Sequence, residues 1–315
     1  MKKMILRLLL FLSLPFIAWV ILLYILTTPV NFNYTKHLYT KKENYLQKNE
    51  DKKKVVIIGG SNAKFNYSSA VIDSALHHQY LIVNSSVMGN IGFINHAELI
   101  LPYLKKGDIV ILSPEYDMLQ TDVGLFGNYQ SVQIAPAKGD FYSAIFSNWK
   151  RAINFIEQSF SHWKALLEAI VMKKTLTMEM INYVVNEFHT ENGEIGKYPD
   201  EVNYSDYTIT VRKELNPTSI KEICKFEQIC KDKGVRFVIN LPAVRSSSFV
   251  NPFTKDEDYL QFLNSQLCGI EITGAPIQNT YADSLFLDSP YHLNEQGKFL
   301  FTHQQLNNGL LSDLQ

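Results

Sequence analysis

The run Val55-Val56-Ile57-Ile58, ending in Gly59-Gly60, constrains the fold more than any other feature of the chain. Four consecutive apolar, β-branched residues without alternation mark a strand buried on both faces, as in a parallel sheet covered by helices. The theme recurs at Tyr80-Leu81-Ile82-Val83-Asn84, Asp108-Ile109-Val110-Ile111-Leu112 and Val235-Arg236-Phe237-Val238-Ile239-Asn240-Leu241, with Ile270-Glu271-Ile272 as a short fifth run. Between them, helical patterns are expected at 68–78, 93–104 and 220–233, the last with Ser219 and Glu222 spaced as a capping box. A final helix is expected over 295–311, with Asn294 as its N-cap. Strands alternating with helices at this spacing predict βαβ units and an α/β fold with a flavodoxin-like, three-layer parallel sheet.

The first residues belong to a different regime. From Leu8 to Leu26 every residue is apolar except Ser13, and a helix of that length spans the roughly 30 Å hydrocarbon core of a bilayer. The run is longer than a usual signal-peptide core, and Thr27-Thr28-Pro29 offers no small-x-small cleavage site, so an uncleaved anchor is expected. Residues 1–28 are read as a short inner tail and transmembrane anchor, and 29–53 as a charged stalk, extended or part-helical. Residues 54–315 are read as the α/β domain. Large C-terminal domains translocate largely regardless of flanking charge. The expectation is therefore a single-pass protein of a bacterial inner membrane, its domain on the periplasmic or extracellular side.

Net charge is −1 and no arginine-rich stretch occurs, so nothing supports a nucleic-acid partner. The three cysteines show no metal-ligand spacing. Cys224 and Cys230 fall on different faces of one helix, and buried free thiols are the expectation. No cofactor is called for. A long insertion, residues 120–216, separates the third and fourth strand runs and carries an amphipathic helix with Trp149, Ile153, Ile156, Phe160, Trp163, Leu166, Leu167 and Ile170. It is a candidate lid or docking surface, or a helical embellishment without a direct role.

Two short motifs carry the chemistry. Gly59-Gly60-Ser61-Asn62 sets a serine on a tight turn just beyond a buried strand, where its hydroxyl is presented at the carboxyl edge of the sheet. A helix cap or a phosphate cradle are its other readings, but neither G-x-G-x-x-G nor G-x-x-x-x-G-K-[ST] is present. At the far end, Asp288-Ser289-Pro290-Tyr291-His292 puts a carboxylate and an imidazole on one loop before the last helix. A serine nucleophile needs such a base, and the base needs a carboxylate to fix its tautomer.

A nucleophile after the first strand, then Asp and His before the final helix, resembles the layout of the SGNH (GDSL-type) esterase and acyltransferase superfamily. Gly60-Ser61 is similar to its first block, Gly-Asp-Ser, with glycine replacing the aspartate. Asp288 and His292 are similar to its Asp-x-x-His block with one extra residue. The following His-Leu-Asn-x-x-Gly resembles a subgroup associated with acylation of bacterial surface polysaccharides. Asn84-Ser85-Ser86-Val87-Met88-Gly89-Asn90 resembles the second block, and the resemblance implies that the Gly89 N–H enters an oxyanion hole. The third block, Gly-x-Asn-Asp, is replaced by Ser113-Pro114-Glu115-Tyr116-Asp117, which lacks the asparagine donor and leaves Glu115 and Tyr116 as candidate contributors. The resemblance covers residues 54–118 and 235–311.

The resemblance implies a catalytic triad of Ser61, Asp288 and His292. Ester hydrolysis or O-acyl transfer on an envelope polysaccharide or acylated sugar would follow, with a membrane-bound O-acyltransferase as a possible partner. The contrasting reading is a catalytically impaired glycan-binding or scaffolding subunit. Nucleotide binding lacks the acidic ribose partner after the second strand, where Asn84-Ser85-Ser86 stands.

Overall fold

A computed structural model describes residues 34–87, 90–134, 148–171 and 207–314, together with isolated positions 3, 11, 13, 14 and 17. The apolar run 8–26 thus lies outside the described residues except for Phe11, Ser13, Leu14 and Ile17. Among the described residues no helix is long and apolar enough to cross a membrane.

The strand runs form one five-stranded parallel sheet: β1 (Lys54–Gly59), β2 (Leu81–Asn84), β3 (Ile109–Ser113), β4 (Arg236–Asn240) and β5 (Glu271–Thr273). Their spatial order is β2-β1-β3-β4-β5, with every pairing parallel. This is the doubly wound order of flavodoxin-like folds, in which the connections depart in opposite directions from β1 and β3 and open a crevice at their carboxyl ends.

Alternate residues of each strand feed opposite cores. Val56, Ile58, Val110, Leu112 and Ile239 join one apolar cluster, while Val55, Ile57, Ile109, Ile111 and Val238 join another. That two-sided burial is the physical cause of the unbroken apolar runs. The first face is covered by α4 (Phe93–Ile100), α9 (Pro217–Lys233) and α10 (Asp256–Gln266); the second by α3 (Ser69–Ala75) and α11 (Glu295–Asn307). Between β1 and α3 lies the short α2 (Ser61–Asn66).

Several boundaries differ from expectation for local reasons. Helix α9 starts at Pro217, capped by Asn216, whose side chain accepts from the Thr218 and Ser219 N–H groups. Proline suits the first helical position because its missing donor is not needed there, so the cap lies upstream of the expected Ser219–Glu222 box. Ser68 caps α3 and Asn294 caps α11. Beyond β3, α5 (Tyr116–Gln120) leads into the insertion, where α6 (Asp122–Phe126) and α7 (Tyr129–Gln133) precede α8 (Trp149–Val171). The remainder of the insertion, 135–147 and 172–206, lies outside the described residues.

Two findings differ more deeply. Within the stretch expected to be a stalk, residues 34–48 form helix α1 (Tyr34–Lys48), with Leu38, Tyr39 and Leu46 at 2% exposure or less inside the first core. Lys42 on the same helix reaches the end of β2, its Nζ donating to the Asn84 carbonyl at 2.6 Å, and burial pulls its ammonium down to about 7. The cysteines also depart from expectation: Cys224 of α9 is disulfide-bonded to Cys268, beyond α10, and only Cys230 remains a free, buried thiol. The bond ties together two helices that cover the same face of the sheet.

Candidate active site

The register of the sheet brings the Ser61 turn and the third-strand loop together. Gly59 at the end of β1 lies opposite Ser113 at the end of β3. A Cβ on Gly59 would stand 2.3 Å from the Ser113 carbonyl oxygen, so only glycine permits this approach. Asn62 then fastens the turn, its side-chain amide donating to the Ser113 carbonyl at 3.1 Å and to the Ser113 hydroxyl at 3.2 Å. The result is that Ser61 is held at the mouth of the crevice.

The other half of the site is a tight loop leading into α11. Leu287 N–H donates to the His292 carbonyl at 2.8 Å, His292 N–H to Ser289 at 3.1 Å, and Asn294 N–H to Leu285 at 2.8 Å. An antiparallel bridge pairs Phe286 with Leu293. This folding brings the side chains of Asp288 and His292 within hydrogen-bond reach of each other across four residues. Tyr291 braces the loop against the third strand's end, its hydroxyl accepting from the Tyr116 N–H at 3.1 Å.

Together these elements assemble a chain of contacts. Ser61 Oγ lies 2.7 Å from His292 Nε2, and His292 Nδ1 lies 2.7 Å from Asp288 Oδ1. The Phe65 ring of α2 stacks on the imidazole at 4.1 Å between centroids and 13° between planes, fixing its rotation. Burial pushes the Asp288 carboxyl upward, but the hydrogen bond and charge of His292 pull harder, and the net shift is below the usual carboxylate range. An ionised Asp288 holding Nδ1–H leaves Nε2 as an acceptor facing the serine proton. Such an array can take a proton from Ser61 and return it to a leaving group.

Of the other sequence candidates, Glu115 enters the site and Tyr116 does not. Glu115 Oε1 stands 3.4 Å from Ser61 Oγ. Tyr116 is 1% exposed, its ring packed against Phe249 and Tyr259 in the core. Its side chain is therefore committed to packing and is no substitute oxyanion donor; the contribution of Tyr116 is the backbone N–H given to Tyr291. Gly89 lies outside the described residues, although the strand end leading towards it is fixed by Ser85 N–H donating to Ile57 at 2.7 Å and by the Asn84 amide donating to Ala63 at 2.8 Å.

Sequence reasoning missed Phe65, Asn62, Tyr291 and Tyr207. The first two follow Ser61 on α2, and their spacing from it was the available signal. Tyr207 closes the insertion, 46% exposed, with its hydroxyl 3.2 Å from Ser289 Oγ and its ring 6.5 Å from that of Tyr291. Burial pushes its hydroxyl up to about 12; the Ser289 hydrogen bond opposes this, and the charges of Glu115, Asp117 and Asp288 reinforce it. Those neighbours put Tyr207 on the wall of the same crevice.

No protein-family model matches the chain, and no curated protein matches it. Among solved structures, the Bacillus subtilis protein YxiM matches over 83% of this chain and 56% of its own length, at 10% identity and a TM-score of 0.38. This chain thus spans little more than half of that one.

Proposed function

We propose that the protein is a serine-dependent ester hydrolase or O-acyltransferase acting on acyl esters of cell-envelope carbohydrate. The observation that supports this reading is the continuous Ser61–His292–Asp288 chain with 2.7 Å at each link, set at the carboxyl edge of a parallel sheet. In the proposed reaction Ser61 Oγ bonds to the ester carbonyl carbon while its proton passes to His292 Nε2. The carbonyl electron pair moves to oxygen, forming a tetrahedral oxyanion. Collapse of that intermediate breaks the bond to the alkoxy group, which takes the proton from His292. Water or a sugar hydroxyl then repeats the steps in reverse on the acyl-enzyme, with Asp288 holding the imidazolium in register.

The proposed site of action is the outer side of a bacterial inner membrane, with residues 8–26 as anchor. The Cys224–Cys268 disulfide supports it, because such bonds persist in oxidising compartments and are rare in the reducing cytosol. A non-catalytic glycan-binding or scaffolding role is the rival reading. It draws on Glu115, an acidic group at a position where the oxyanion formed by serine attack needs a donor.

The test is hydrolysis of p-nitrophenyl acetate by the full-length protein beside Ser61→Ala. A burst or turnover abolished in Ser61→Ala is expected. Equal background rates in both would transfer the weight to the scaffolding role.

A further inference from the structure

One group beside Ser61 has no part in the proton relay: the carboxyl of Glu115. Its place is dictated by the chain around it. Gly60 carries no side chain, and a Cβ there would stand 2.4 Å from Glu115 Oε1 and 2.9 Å from its carboxyl carbon. The carboxyl therefore fills the room that a side chain at residue 60 would occupy, and the Asn62 backbone N–H donates to it. It is delivered into the nucleophile turn from the end of β3, the strand bordering the crevice.

A count of protons and lone pairs decides which form of Glu115 suits this position. Ser61 has one hydroxyl proton and two lone pairs. His292 Nε2, at 2.7 Å, must accept that proton, because Nδ1 is committed to Asp288. An ionised Glu115 would be a second acceptor facing the same single proton. It would also set a negative charge against the oxyanion that forms two bonds away from Ser61 Oγ. A neutral Glu115 reverses both conflicts. Its O–H would face a Ser61 lone pair across the 3.4 Å separation, and one directed chain would result, from Glu115 through Ser61 and His292, with Nδ1–H given to Asp288.

The surroundings favour the same form. Desolvation pushes the Glu115 carboxyl above the usual range and the charge of Asp117 adds to the push; the nearby His292, the hydrogen bond from the Asn62 N–H and the contact with Ser61 oppose it without cancelling it. Glu115 as a residue is half-buried, and its carboxyl lies beside Ser61 Oγ.

We propose that Glu115 acts as a neutral carboxylic acid whose O–H stabilises the oxyanion created when Ser61 adds to the acyl carbonyl, a role that rests on the serine-esterase reading. The proton stays on Glu115 throughout. As the carbonyl oxygen gains charge, the hydrogen bond is handed from Ser61 Oγ to that oxygen and strengthens. When the intermediate collapses, the bond returns. Glu115 is thus a catalytic residue by contact with the reacting atoms, and it makes the active enzyme the acid form of a carboxyl.

The experiment compares full-length wild type, Glu115→Gln and Glu115→Ala in p-nitrophenyl acetate hydrolysis across pH. Thermal melts verify that each variant is folded. Infrared difference spectra, wild type minus Glu115→Gln, report whether the carboxyl is protonated. A protonated-carboxyl band is expected at the pH of maximal activity, lost in step with the alkaline limb of the wild-type kcat/KM profile. Glutamine supplies a neutral N–H donor in the same place, so Glu115→Gln should stay within about tenfold of wild type at the optimum and lack that limb. Glu115→Ala should lose roughly 10²–10³-fold in kcat with KM little changed, as for removal of one oxyanion donor.

An ionised Glu115 in an enzyme with Ser61-dependent turnover overturns the donor role alone. So does a Glu115→Gln as slow as Glu115→Ala, or one keeping the alkaline limb. A protein without Ser61-dependent turnover sinks the esterase reading, and the donor role with it.

Discussion

Severing the Cys224–Cys268 bond should destabilise the domain by an amount that follows from chain length. The two cysteines are 44 residues apart, and the enclosed segment includes β4 and α10. Releasing a loop of that size to the unfolded ensemble restores about 4 kcal/mol of conformational freedom at 25 °C. For a domain of this size each kcal/mol moves Tm by about 2–4 °C, so the loss should be roughly 8–16 °C. Because both partners make the same bond, Cys224→Ser, Cys268→Ser and the double variant should melt together, and each should match reduced wild type. Calorimetry with and without reductant measures this. Alkylation adds an independent count: Cys230 is 0% exposed and burial pushes its thiol up to about 12, so the native oxidised protein should resist labelling. Variants that melt within about 2 °C of oxidised wild type would refute the reasoning, as would single variants whose losses add.

Other expectations concern the site and its supports. Asp288→Asn should leave the melting temperature near wild type yet lower kcat by about 10⁴, because the amide fixes the wrong imidazole tautomer. Gly60→Ala should drive Glu115 out of the nucleophile turn, since the new Cβ would meet its Oε1 at 2.4 Å; the measurement is kcat for p-nitrophenyl acetate, which should fall towards that of Glu115→Ala. Asp108 is fully buried and accepts from Lys54 N–H, from Lys54 Nζ at 2.9 Å and from Lys105 N–H. Asp108→Ala would strand the buried ammonium and should cost about 3–5 kcal/mol in urea denaturation. Glu115, with its carboxyl shifted upward, holds more protons folded than unfolded. Its contribution is therefore complete below the unfolded pKa and lost as pH rises through the folded one, so Glu115→Gln should gain stability relative to wild type on going from acidic to neutral pH.

The parallel sheet was legible because β1, β3 and β4 are buried on both sides, which leaves no room for polar alternation. The meeting of Ser61 with the Asp288–His292 pair was legible for a different reason: hydroxyl, imidazole and carboxylate stand by residue type at the ends of elements that apolar runs already locate. Glu115 was visible only as a departure from a pattern, since its meaning lies in the empty space at Gly60, and space between distant residues has no one-dimensional trace. The Cys224–Cys268 pairing was hidden likewise, because it depends on how two helices settle on one face. The burial of helix α1 was obscured by its own lysines. Leu38, Lys42 and Leu46 repeat at helical spacing, but charge along the segment outweighed a stripe whose middle member buries its stem and still finds a carbonyl.

Helix α1 also sets the length of a leash. Since it is built into the core, only residues 27–33 separate the apolar run ending at Leu26 from the first residue of the domain's own framework. Even fully extended, those seven residues reach roughly 28 Å across to Tyr34. For the membrane-held protein proposed above, that distance defines a thin shell along the bilayer in which the crevice can travel. The site would patrol two dimensions at high local concentration instead of searching the envelope's depth. Glycan esters farther out would have to be met during their assembly at the membrane, before export carries them beyond the tether.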